Sequence, residues 1–198
     1  MRFILASNNR DKLAEMRRIL GDMGIEVLSQ REAGCDFEVE EDGETFEENA
    51  WLKASAVTRA TGLPAVADDS GLAVDALNGA PGVHSARYTG SHEDTDQQRN
   101  AFLLHNLEGA GDRSARFVSC ICCTMPDGTV LRARGECEGT ILHAPRGENG
   151  FGYDPLFLPR GCDRSMAQLS MEEKNEISHR GKALRKFREE LERYYADK

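Results

Sequence analysis

Arg2-Phe3-Ile4-Leu5-Ala6-Ser7-Asn8-Asn9-Arg10-Asp11-Lys12-Leu13-Ala14-Glu15-Met16-Arg17-Arg18-Ile19-Leu20-Gly21 changes its period partway along. Residues 2–6 form a short, mostly apolar run that reads as a buried strand. From Asp11 the apolar side chains Leu13, Met16, Ile19 and Leu20 recur at helical spacing, which predicts a helix over residues 11–21. Gly24 marks a stop, and residues 25–29 read as a second strand. A strand, loop, helix and second strand in this order is the opening of an α/β fold.

The same reading extends along the chain. Residues 37–48 are strongly acidic and end in Thr45-Phe46-Glu47-Glu48, a capping-box pattern that starts a helix near Phe46. That helix runs through Ala50, Leu52, Lys53, Ala54 and Val57 to Gly62, with Pro64 beyond it as a breaker. Residues 65–67 read as a short strand ending in Asp68-Asp69-Ser70-Gly71. Residues 116–125 and 129–138 read as two strands joined by the turn Pro126-Asp127-Gly128. Residues 147–159 read as a glycine- and aromatic-rich loop and strand. Residues 181–195 read as a charged helix with Leu184, Phe187 and Leu191 on its buried face. No repeat, low-complexity tract or long linker interrupts this order, so the 198 residues are expected to form one domain with two lobes.

Composition narrows the function. Apolar residues make up 39% of the chain and charged residues 30%, the balance of a globular protein. The first apolar run is too short for a signal or transmembrane segment, which predicts a cytoplasmic protein without a membrane partner. Twenty-five basic against 34 acidic residues give a net charge of −9, which argues against polymeric nucleic acid as a partner. A small polyanion remains possible where a divalent cation and a few placed lysines offset the repulsion. Cys120, Cys122 and Cys123 cluster within one predicted strand without a second pair at zinc-site spacing, so they read as core filling.

Four constellations could carry chemistry. Ser7-Asn8-Asn9-Arg10-Asp11-Lys12 sits where a strand hands over to a helix, a place for phosphate, although Ser7 or Asn9 could simply cap the helix. Glu38, Glu40, Glu41, Asp42 and Glu44, with Asp68 and Asp69, offer oxygen ligands of the kind magnesium takes, although a glutamate-rich run is often a solvated loop. Adjacent aspartates at the end of a buried strand are costly without a cation or a catalytic use. Lys174, His179 and Arg180 form a basic group that could equally be surface charge. In Phe151-Gly152-Tyr153-Asp154-Pro155 a ring could stack on a base and a carboxylate accept from it, or a turn could bury both aromatics.

In this order, the elements closely resemble the inosine/xanthosine triphosphate pyrophosphatase family. The matching stretches run from Ala6-Ser7-Asn8-Asn9-Arg10-Asp11-Lys12 through Glu40-Glu41-Asp42-Gly43-Glu44-Thr45-Phe46-Glu47-Glu48-Asn49-Ala50, Lys53-Ala54 and Ala67-Asp68-Asp69-Ser70-Gly71-Leu72. They continue through Gly79-Ala80-Pro81-Gly82-Val83-His84-Ser85-Ala86-Arg87-Tyr88 and Phe151-Gly152-Tyr153-Asp154-Pro155 to Ser178-His179-Arg180-Gly181. The resemblance implies an α/β fold, an elongated mixed β-sheet with flanking helices forming two lobes around a central cleft, assembled as a homodimer. It implies hydrolysis of ITP, dITP and XTP to the monophosphate and pyrophosphate, with Mg2+.

By the same resemblance Asp69 is the proton acceptor and a metal ligand, and Glu40 the second metal-site carboxylate. Ser7, Asn8, Asn9, Arg10, Asp11 and Lys12 bind the triphosphate, and Ser70 contacts substrate. Phe151, Gly152, Tyr153, Asp154, Lys174, His179 and Arg180 contact base and phosphate, with Glu41 and Lys53 assisting. Ser7 stands where many members have Thr, and Asn8 and Asp11 where Gly is frequent. The rival enzymatic reading is a Maf-type pyrophosphatase acting on modified pyrimidine nucleotides, and the rival from another class is a nucleotide-binding regulatory module.

Overall fold

In the computed structural model, which describes residues 1–35, 37–91 and 93–197, the opening stretch folds as read from its period. Strand β1 (Arg2–Leu5) leads into helix α1 (Arg10–Gly21) and strand β2 (Glu26–Ser29), and β1 and β2 pair in parallel. Helix α2 (Phe46–Thr61) starts at the predicted capping box, where Thr45 Oγ1 accepts from Glu48 N and Glu48 Oε2 accepts from Thr45 N. It stops at Gly62, whose left-handed φ of 68° costs a glycine nothing.

Strand β3 (Ala65–Val74) corrects the expected short strand. Leu72 and Val74 are fully buried, so the strand pattern resumes beyond the polar Asp68-Asp69-Ser70 and carries it onward. The two aspartates therefore lie inside a strand rather than at its end. Helix α3 (Asp96–Asn106) was not anticipated, although Thr95 and Gln98 form a reciprocal capping box at its start. Strands β4 (Ser114–Thr124) and β5 (Val130–Ile141) are joined at residues 125–129, where Gly128 N donates to Met125 O. Strand β6 (Phe157–Pro159) pairs antiparallel with β5. Helix α4 (Met171–Ile177), also not anticipated, and helix α5 (His179–Ala196) complete the chain.

The strands form one mixed sheet in the order β2-β1-β3-β4-β5-β6, and the chain is an α/β protein. It divides into two compact units. The first holds Met1–Asp69, Ser119–Arg134 and Ala183–Lys198, and the second holds Ser70–Val118 and Gly135–Lys182. In the first unit, side chains alternate across the sheet. Phe3, Leu5, Val66, Ile121 and Cys123 pack with Met16 and Leu20 of α1 and with Leu184 and Phe187 of α5. On the other face Ile4, Ala65, Ala67 and Cys122 pack with Ala50, Ala54 and Val57 of α2. The thiols of Cys120, Cys122 and Cys123 are buried, as core filling requires. The second unit has its own core of Leu72, Val74, Leu103, Phe117, Ile141, Tyr153 and Phe157.

Candidate active site

The alternation of β3 separates its two aspartates. Asp68 follows Val66 onto the α1 face, and Asp69 follows Ala67 onto the α2 face. Each helix supplies a lysine. Lys12 Nζ of α1 donates to Asp68 O at 3.0 Å and lies 3.6 Å from Asp68 Oδ1. Lys53 Nζ of α2 donates to Asp69 Oδ1 at 3.0 Å, to Glu41 Oε2 at 3.1 Å and to Asp68 O at 3.4 Å. The Asp68 carbonyl thus receives both ammonium groups, and Ser119 Oγ donates to Asp68 Oδ2 from β4.

Burial pushes the Asp69 carboxyl above its ordinary range, and the Lys53 ammonium opposes that push without cancelling it. Burial pulls the Lys53 ammonium down, but the charges of Asp69 and Glu41 outweigh it and hold its pKa above the ordinary lysine value. Without added divalent cation, Asp69 is therefore expected to titrate above a solvated aspartate. Lys53→Met should raise it further, because burial then acts with less opposition. Carboxyl-carbon NMR titration reads both, and a downward movement in the variant would contradict the pairing.

In the phosphate-loop candidate, Asn9 is a helix cap: its Oδ1 accepts from Asp11 N and Lys12 N, both at 3.0 Å. Ser7 Oγ accepts from Asn9 N at 3.1 Å, so the hydroxyl organises the loop that precedes α1. Asn8, Arg10 and Asp11 are exposed, and Ser7 and Lys12 are half-buried. Of the two glutamates, the structure brings Glu41 to Lys53 and through it to Asp69, while Glu40 is exposed in the acidic segment.

In the second unit the aromatic loop divides its two rings. Tyr153 is buried, and its hydroxyl donates to Ser85 O at 2.7 Å, whereas Phe151 is 44% exposed. The turn thus buries one of the two aromatics and not both, and it leaves the Phe151 ring open. Lys174 Nζ lies 4.8 Å and Arg180 Cζ 5.7 Å from the Phe151 ring centroid, within cation–π range. Asp154 is buried, and its Oδ2 accepts from Phe151 N at 3.0 Å and from Lys174 Nζ at 2.6 Å.

Gly152 receives contacts from α3 that sequence reasoning missed. Its N–H donates to Asp96 Oδ2, and its carbonyl accepts from Asn100 Nδ2. The Thr95–Gln98 capping box, with Asp96 in the first turn and His105 in the last, is the local signal for that helix.

Surface charge does not describe the basic group. His179 and Arg180 are both buried at the start of α5. The His179 ring stacks on Phe117 with centroids 4.8 Å apart, and Arg180 Nη2 donates to Ser70 Oγ at 3.2 Å. Ser70, the residue after Asp69, is thereby tied to the group that also faces Phe151.

Together these features define an α/β protein with a carboxylate–lysine centre on one strand and a cation-lined aromatic loop. The chain belongs to the Ham1 family, which residues 3–190 match. It is 53% identical over 189 residues to a protein of Nocardia farcinica named dITP/XTP pyrophosphatase, covering 93% of this chain and 91% of that one. A Desulfotalea psychrophila protein of the same name is 50% identical over 187 residues, covering 94% and 83%. Among solved structures, the Staphylococcus aureus Ham1 protein superposes with a TM-score of 0.90 at 43% identity, covering 97% of this chain and 98% of its own. A Mycobacterium abscessus nucleoside-triphosphatase described as a dITP/XTP pyrophosphatase gives 0.81 at 47% identity, covering 94% and 98%.

Proposed function

We propose that this protein hydrolyses ITP, dITP and XTP to the nucleoside monophosphate and pyrophosphate, removing deaminated purine nucleotides from the cellular pool. The observation that carries the reading is the buried Asp69 carboxylate held by Lys53, in a chain about half identical over nearly its whole length to relatives named dITP/XTP pyrophosphatase.

Lys53 engages Asp69 Oδ1, so Asp69 Oδ2 is the oxygen assigned to orient a water and accept its proton. The oxygen of that water attacks the α-phosphorus, the bond to the bridging oxygen breaks, and pyrophosphate leaves with the bond's electron pair. Lys53 opposes the protonation that burial of Asp69 favours. Lys12, now on the Asp68 carbonyl, is assigned to a triphosphate charge, with Ser7, Asn8, Asn9, Arg10 and Asp11 supplying the segment beside it. Ser70 contacts substrate. In the second unit Phe151 stacks on the base, Gly152, Tyr153 and Asp154 shape that loop, and Lys174, His179 and Arg180 supply donors to base and phosphate.

The donor set suits magnesium, which takes one or two protein carboxylates and completes its shell with water and phosphate oxygens. Among the described residues no group of three or more His, Cys, Asp or Glu side chains comes together, and magnesium does not demand one. Asp69 and the exposed Glu40 are the residues assigned to hold it, with Glu41 assisting. When bound, it supplies charge neutralisation for the triphosphate and polarisation of its phosphoryl oxygens.

Selectivity falls to the donors around the purine 6-carbonyl, for which Arg180, His179 or a backbone N–H is assigned. Adenine would leave such a donor unpaired, which costs about 1–3 kcal/mol. We further read the protein as a cytoplasmic homodimer, the assembly that the family resemblance implies. Among the described residues no helix is long and apolar enough to cross a membrane.

Product analysis tests the reaction. ITP should give IMP and pyrophosphate in the presence of Mg2+, and chelation should stop it. Release of IDP and orthophosphate would overturn the proposal, and faster hydrolysis of dTTP or UTP would favour the Maf-type reading.

A further inference from the structure

We propose that Asp96 and Asn100 of α3 are positioning residues that fix the Phe151 ring for base selection by gripping the peptide groups on both sides of Gly152. The proposal rests on the reading that Phe151 stacks on the substrate base. Phe151 lies between Gly150 at φ 76° and Gly152 at φ 61°, a Gly-Phe-Gly segment with little backbone stiffness of its own. Its exposed ring can serve as a platform only if other groups hold that backbone. Asp154 Oδ2 takes the Phe151 N–H. Asp154 N donates in turn to Phe151 O at 3.3 Å, and α3 adds further restraint: Gly152 N donates to Asp96 Oδ2 at 2.7 Å, and Asn100 Nδ2 donates to Gly152 O at 3.0 Å.

The two side chains are one helical turn apart, so they project on the same face and reach the same residue together. Arg99 aims Asp96: its guanidinium takes Asp96 Oδ1 at 2.5 Å and also donates to Ala86 O at 3.3 Å, which leaves Oδ2 for Gly152. Asn100 is 93% buried by its relative exposure of 7%. Its amide orientation is fixed because the Gly152 carbonyl requires a donor.

Stability alone does not account for an asparagine at that position. Among the described residues Asn100 Oδ1 is a buried acceptor without a hydrogen-bond partner, a cost that a leucine of similar size would avoid only by giving up the donor to the Gly152 carbonyl. The donor to Gly152 is the asparagine's distinctive contribution. Tyr153 adds a second buttress through its bond to Ser85 O, while Ser85 Oγ accepts from Leu72 N and donates to Gly82 O.

The test compares kcat and KM for ITP and ATP in the full-length wild-type protein and in Asn100→Leu, Asp96→Ala and Asp96→Asn. In the first two variants KM for ITP should rise about tenfold with kcat changed by less than about threefold, and the ITP-to-ATP ratio of kcat/KM should fall about tenfold. Asp96→Asn keeps an oxygen for the Gly152 amide and should restore most of the loss. A merely structural role would lower the melting temperature and leave the selectivity of the folded protein unchanged. Wild-type selectivity in both Asn100→Leu and Asp96→Ala would therefore overturn the proposal while the functional reading stood. Should Asn100→Leu not fold, the partly exposed Asp96 decides alone. A wild-type protein that did not prefer ITP would overturn both readings.

Discussion

Replacing Asp69 with asparagine is expected to lower kcat for ITP by about 10²–10⁴-fold, the range that a positioned general base contributes. Asparagine has the shape of aspartate and keeps a side-chain oxygen for the Lys53 ammonium, but it cannot accept a proton from water at neutral pH. The fold should survive the change.

Burial raises the Asp69 pKa in the folded protein, so any stability linked to its protonation is present at low pH and is lost as pH rises through that value. Burial disfavours the ionised carboxylate, and a neutral asparagine does not carry that cost. Lys53 retains Glu41 as a partner at 3.1 Å. Circular dichroism and thermal melting should match the wild type within a few degrees while turnover collapses. Hydrolysis of ITP near the wild-type rate would remove Asp69 from the role of base.

The second large effect is on stability, at Gly181. Helix propensity predicts that Gly181→Ala stabilises α5 by about 1 kcal/mol. Packing predicts the opposite. A Cβ on Gly181 would overlap the Asn175 carbonyl oxygen and stand 3.0 Å from its carbon and 3.2 Å from Ser178 Oγ. Two of these atoms belong to backbone and cannot rotate away. Ser178 Oγ also accepts from Gly181 N at 3.0 Å, the bond that caps the start of α5.

Forcing α4 and α5 apart should cost about 1–3 kcal/mol in net stability, as overpacking does. Because His179 and Arg180 sit in the same turn, KM for ITP should rise as well. Urea denaturation and steady-state kinetics read the two effects. A more stable Gly181→Ala protein would show that the close approach of the two helices is not obligatory.

The first strand, helix and strand were legible because the period changes within a few residues and the helix start carries a cap. The start of α2 was legible for the same reason, since Thr45 and Glu48 satisfy one another's backbone groups. Strand β3 was read too short because Asp68-Asp69-Ser70 looks like a turn. The lysines on the two flanking helices help to make buried carboxylates tolerable within a strand.

Most candidate site residues could be named from motif order, but their partners could not. Lys12 turns to the Asp68 carbonyl, 56 positions away in sequence. Asp96 and Asn100 reach Gly152 across separations of 56 and 52 positions. No local pattern encodes such contacts, because they arise only once separate elements pack together. The burial of His179 and Arg180 was hidden for a related reason: charge alone predicts solvent exposure, and a stacked Phe117 and a paired Ser70 are needed to overrule it.

The most direct test of the proposed activity is the ratio of kcat/KM for ITP, dITP and XTP to that for ATP, measured as pyrophosphate release by the purified protein with Mg2+. The unpaired donor that adenine would leave, at about 1–3 kcal/mol, predicts a preference for the deaminated nucleotides of about five- to 150-fold. Hydrolysis of ATP as fast as ITP would contradict the account.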